Sequence, residues 1–139
     1  MPRVQVQMLE DADAVVKAAE LLRQSADAMQ DRRQQAFDSG AITAPQARKN
    51  VLEENNLRIH ISEMLLRAIK LVVDGAGPSQ SDLEGAIEKA NEEIRKIEQV
   101  RQALRIFASV LNLATAILGR DPVSIIDALS AVKKHSGAV

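Results

Sequence analysis

Apolar residues recur at four- and three-residue steps along most of this chain, the spacing that keeps one face of an α-helix turned toward a core. The longest such run is Leu83, Ile87, Ala90, Ile94, Ile97, Arg101, Leu104, Ala108, Leu111, Thr115 and Leu118. It predicts a single helix over about residues 82–118 with an unbroken seam. The run Ala12, Val15, Ala19, Leu22, Ala26, Met29, Arg33 and Ala36 predicts a helix over about 8–38. Ala47, Asn50, Glu54, Leu57, Ile61, Met64, Ala68 and Leu71 predict another over about 44–73. A short fourth helix, about 122–134, carries Ile125, Ile126, Leu129 and Val132.

The punctuation between these runs agrees with them. Ser39-Gly40 stops the first helix, and Thr43 with Gln46 has the spacing of a capping box, with Pro45 in the first turn where a missing N–H costs little. Gly75-Ala76-Gly77-Pro78 reads as a linker, and Ser81 with Glu84 as a second capping box. Gly119, Asp121 and Pro122 supply a helix end, a cap and a first-turn proline in that order. No alternating pattern suggests a strand, so the fold class expected is all-α. The architecture expected is an antiparallel three-helix bundle of long heptad-patterned helices, one domain over residues 1–139, with a short fourth helix folded back on the overhanging end of the third.

Short connections make successive helices antiparallel and fix which seam positions meet. The resulting layers set Ala12, Ala19 and Ala26 against Leu71, Met64 and Leu57, with Ala18 left on the surface. They also bring Arg33, Glu54 and Arg101 to one level as a polar layer in which opposite charges can meet. The predicted third helix outruns the turn between the first two by about ten residues, roughly 15 Å at 1.5 Å per residue. Ile106, Val110, Leu113 and Ile117 make that overhang apolar nearly all round, more than a short helix bearing Ile125 and Leu129 can cover. Those six residues are the candidate interface.

Composition narrows the function by exclusion. Charged residues are 27% of the chain and interleave in sign to a net charge of −1, which gives no steering toward nucleic acid. Two Phe and no Trp or Tyr leave little to stack on a base or a flat cofactor. Without Cys there is no disulfide, thiol nucleophile or thiolate metal site. His60 and Glu63 reverse the Glu-x-x-His order of di-iron bundles and have no second copy. Glu84, Glu88 and Glu92 form a solvated acidic stripe beside Lys89 and Lys96, and His135 is a residue of the C-terminal turn. Catalytic, cofactor and metal residues are therefore expected to be none. The N-terminal segment has no apolar signal region, so a cytoplasmic location is the expectation.

The reading that remains is a non-enzymatic protein–protein interaction module of structural, adaptor or toxin-neutralising type. It would act through the apolar hairpin of the last two helices, with a second copy or another protein as partner. The alternative is a membrane-active or lipid-surface protein that inserts the same hairpin. Constitutive spanning is disfavoured because about 15 residues rise only about 23 Å against roughly 30 Å of hydrocarbon, with Arg105, Asn112 and Thr115 interrupting them.

Overall fold

A computed structural model describes residues 9–68 and 79–137. The fold is all-α: α1 spans Ala12–Asp38, α2 Ala44–Leu66, α3 Gln80–Lys96, α4 Val100–Gly119 and α5 Pro122–Ser136. Met8, Leu71, Val73 and the Gly75–Pro78 linker, on which several sequence expectations fall, lie outside the described residues.

Most helix ends follow local chemistry. Asp11 caps α1 through the Ala14 N–H, and the Thr43/Gln46 capping box of α2 is present in both directions. α3 begins two residues before the sequence suggests, because the Ser79 hydroxyl accepts from the Asp82 N–H at 3.0 Å while Ser81 and Glu84 lie within the helix. After α4 the left-handed residue is Arg120, at φ +60°, rather than Gly119. Asp121 holds the N-cap position of α5, yet its carboxylate takes the Ser124 hydroxyl at 2.7 Å instead of a backbone N–H.

The main departure from the sequence pattern is that the expected third helix is two helices. Ile97 is extended, at ψ 135°, and residues 97–99 separate α3 from α4. The cause lies in the phase of the apolar faces. Leu83, Ile87, Ala90 and Ile94 form the buried face of α3, and Ala103, Ile106, Val110, Leu113 and Ile117 form that of α4. Ile94 and Ala103 are nine positions apart, which at about 100° per residue puts them on opposite sides of an uninterrupted helix. Breaking the chain turns both faces toward one core. The 4-3 spacing that crosses the break is a real pattern, but beyond it Arg101, Leu104, Ala108, Leu111, Thr115 and Leu118 form the outer, half-buried to exposed face of α4.

The break is held by α1. Arg32 donates to the carbonyls of Ile94 (3.3 Å), Arg95 (3.2 Å), Ile97 and Glu98 (3.0 Å), so carbonyls left without helical donors at the end of α3 find one guanidinium.

α1 packs against α2, α3 and α4, and α4 packs against α1, α2, α3 and α5. α4 thus packs against all four other helices, and α1 and α3 each pack against three. Packing against three helices explains why α1 is buried on a wide face that includes Ala14, Ala18, Leu21, Ser25 and Ala28 beside its expected seam. Ala18, expected on the surface, is completely buried. α1 and α2 are antiparallel, since Arg33 meets Glu54 while Arg58 meets Asp27. α1 and α3 are parallel: Gln80 Nε2 donates to the Ala14 carbonyl at 3.0 Å and Asn91 Nδ2 to the Leu21 carbonyl at 3.0 Å. The Ser25 hydroxyl bonds Asn91 Oδ1, so the buried polar atoms of this pair satisfy one another.

Candidate interaction surfaces

All six residues expected to form an exposed apolar interface lie in the core. Ile106, Val110, Leu113, Ile117 and Ile125 are fully buried and Leu129 nearly so. The apolar surplus of the last third is real, but the break at 97–99 lets α1, α2, α3 and α5 cover it within one chain. A patch on an overhanging α4/α5 hairpin is therefore corrected to a core face. α4 is long and apolar enough by length and composition to cross a membrane, with a mean hydropathy of 1.4 over its best window. In the fold Ile106, Phe107, Val110, Leu113 and Ile117 of this helix are core, while Leu104, Leu111 and Leu118 are half-buried.

The expected polar layer is half assembled. Arg33 Nε and Nη2 donate to the Glu54 carboxylate at 2.7 and 3.2 Å, a two-pronged pair with Glu54 almost completely buried. Arg101 does not join it. It sits on the exposed face of α4 and lines a groove with Lys49, Asn50 and Arg105. The displacement follows from the break: the layer assigned Arg101 to a core position of a continuous helix, whereas its position in α4 faces outward.

The remaining candidates have local partners. His60 Nε2 and Thr115 Oγ1 lie 3.3 Å apart across α2 and α4, and Glu63 pairs with Arg67 at 3.4 Å. Glu84 accepts from Gln80 at 2.8 Å. Lys96 pairs with Glu92 at 2.9 Å and Lys89 with Glu93 at 3.1 Å. The Glu92 carboxyl is held below its usual range chiefly by the hydrogen bond from Lys96 and that residue's charge, and Glu93 chiefly by the hydrogen bond from Lys89. Lys96 is raised by the same bond to Glu92. Among the described residues no three His, Asp or Glu side chains converge as metal ligands would.

A surface the periodicity argument did not single out lies on α2. Leu52, Ile59 and Leu66 are 65%, 58% and 87% exposed and recur every seventh residue, so they form one stripe down the solvent face of the helix. The signal was present in the sequence but masked by the inner seam of the same helix, Leu57, Ile61 and Met64, which is buried. Asn55, Asn56, Ser62 and Glu63 lie between the stripe residues on that face, the only charge among them being Glu63, which pairs with Arg67 at 3.4 Å.

Compared with known proteins, the chain matches no family model, no curated protein and no solved structure.

Proposed function

We propose that this chain works by binding protein, as a non-enzymatic interaction module that self-associates through the outer face of α2. The observation that supports this reading is the exposed heptad stripe Leu52, Ile59 and Leu66. Three aliphatic side chains at that spacing on one helix gain little from water and are self-complementary under a two-fold axis. An antiparallel pairing centred on Ile59 sets each Leu52 against Leu66 of a second copy, a closed isologous contact. Structural, adaptor and toxin-neutralising roles all use such a module. The test is sedimentation velocity at micromolar concentration. A dimer or larger species is expected, and Ile59→Glu with Leu66→Glu should return it to a monomer with unchanged helicity. A wild-type monomer across that range overturns self-association.

A second reading, insertion of the α4/α5 hairpin into lipid, draws on the length and hydropathy of α4. It requires Ile106, Val110, Leu113 and Ile117 to leave the core. Liposome flotation with and without anionic lipid tests it: flotation supports insertion and its absence rejects it.

A further inference from the structure

We propose that the groove between the N-terminal halves of α2 and α4 binds anions, and that its occupant is an acidic segment of a partner protein that presents carboxylates beside an aliphatic side chain. The groove has a volume of about 270 Å³ and is lined by Lys49, Asn50 and Glu53 of α2 and by Arg101, Leu104 and Arg105 of α4.

Charge is the first argument. Three cations face one carboxylate, and among the described residues Lys49, Arg101 and Arg105 take part in no ion pair. α2 and α4 lie side by side in the same sense, since Lys49 and Asn50 share the groove with Leu104 and Arg105 while His60 lies against Thr115 further along both helices. Their N-termini therefore open at one end, where the dipoles of both helices add partial positive charge and α4, unlike the Thr43-capped α2, keeps first-turn N–H groups without a side-chain acceptor. Neither helix has an acidic residue in its first turn, and the Gln99 side chain makes no cap bond at the start of α4. The rest of the molecule does not share this excess, because the whole chain carries a net charge of −1.

Asn50 is an independent argument. It is only 6% exposed on the groove wall, and its buried Nδ2 has no hydrogen-bond partner, the one side-chain atom in that condition among the described residues. A buried amide donor without an acceptor is costly, and such groups in native proteins call for an explanation such as a ligand. The atom is closed to water in the empty groove, so an oxygen ligand supplies the acceptor through a turn of the side-chain amide that brings Nδ2 to the groove.

The third argument selects the occupant. Arginine forks match a carboxylate with two parallel hydrogen bonds. The Leu104 side chain and the methylene stems of Lys49 and Arg105 give the groove apolar surface that a bare phosphate would leave exposed. Glu53 opposes a continuous track of phosphates, and the described residues of the groove include no aromatic ring on which a base could stack. A short peptide with alternating acidic and aliphatic residues satisfies the cations, the orphan donor and the apolar surface together.

The groove shares no lining residue with the Leu52–Ile59–Leu66 stripe, so its test is run on the full chain both as wild type and with Ile59→Glu, which separates failure of this site from failure of self-association. The probe is a fluorescein-labelled peptide of repeated Glu-Leu-Glu, read by anisotropy in 50 mM salt. Binding is expected to weaken about tenfold or more in Arg101→Gln with Arg105→Gln, two exposed substitutions that leave the core intact, and to weaken again at 200 mM salt. Asn50→Leu should weaken the peptide while raising the urea midpoint, since it removes a buried donor that the empty groove leaves unpaired. A Lys-Leu-Lys peptide should not bind. The proposal is overturned if the acidic peptide fails to bind at millimolar concentration, if the double Arg variant binds it equally well, or if inorganic phosphate competes at equal affinity.

Discussion

Arg33 of α1 grips the Glu54 carboxylate of α2 with two nitrogens, at 2.7 and 3.2 Å, in a place where the Glu54 side chain is 4% exposed and that of Arg33 16%. The exposure is unequal, and so are the consequences of cutting the pair. Removing Arg33 leaves a carboxylate with no route to water, whereas removing Glu54 leaves a long side chain that can turn its head outward.

Arg33→Met is therefore expected to cost about 3 kcal/mol or more and Glu54→Leu less, with the double variant recovering much of the loss. Arg101→Leu should stay within about 0.5 kcal/mol of wild type, because Arg101 lies on the outer face. A urea-denaturation double-mutant cycle decides. Strong coupling between Glu54 and Arg101, with none between Glu54 and Arg33, would contradict the observed pairing.

The break between α3 and α4 has a signature of opposite sign. Gln99 occupies the N-cap position of α4 without making a cap bond. Gln99→Asp should therefore stabilise the protein by about 0.5–1 kcal/mol by supplying the missing acceptor. In an uninterrupted helix the same change would be mildly destabilising, because Asp is a poorer interior helix former than Gln. A thermal melt that moves down instead of up would argue for continuity.

Close packing of α1 can be tested at two neighbouring alanines. Ala18 and Ala19 are both completely buried, so replacing either with Leu should overpack the core at a cost of about 1–3 kcal/mol. Lys17→Leu, on the exposed face of the same turn, should be near neutral. Tolerance of Leu at Ala18 would mean that α1 is buried on a narrower face than the structure gives it.

The last turn of α3 should respond to acid and to strong base. Glu92 and Glu93 titrate below their usual 4.5, so their contribution is complete above that value and is lost as pH falls through the lowered range. Lys96 titrates above its usual 10.5, so its contribution is complete below 10.5 and is lost as pH rises beyond it. All three groups are exposed, so the effect is local fraying rather than global unfolding. Protection factors of the Ile94–Ile97 amides, which remove the intrinsic pH dependence of exchange, should fall at the acid end in wild type and much less so in Lys96→Gln.

Local signals carried most of the secondary structure. The Thr43/Gln46 box, the Pro122 start and the alanine-rich seam of α1 are all present, because each rests on neighbours in the chain. The split at Ile97–Gln99 was illegible as punctuation, since Lys96-Ile97-Glu98-Gln99-Val100 contains neither Gly nor Pro. The donors that stabilise it come from Arg32, more than sixty residues away. The surplus of apolar residues at Ile106, Val110, Leu113 and Ile117 was the visible trace. It indicated a second buried face, which a continuous-helix reading turned into an exposed one. Arg101 was misplaced for the same reason, because a seam assigns faces only while its helix continues, whereas the α2 stripe was masked by the buried inner seam of its own unbroken helix.

The parallel alignment of α1 with α3 sets an order of assembly. Arg33 and Glu54 are 21 residues apart and Gln102 reaches the His135 carbonyl across 33, whereas Ser25 and Asn91 are separated by 66 and Leu21 and Asn91 by 70. Closing the longer loop costs about 1 kcal/mol more chain entropy than closing the shortest. Loop-closure entropy alone therefore favours the α1/α2 and α4/α5 hairpins over the docking of α3 on α1, the step that buries Asn91 and brings the end of α3 within reach of Arg32. Until it occurs, the apolar faces of both hairpins remain open to solvent, and the interval before Asn91 is buried is when a nascent chain is most exposed to association with the wrong neighbour.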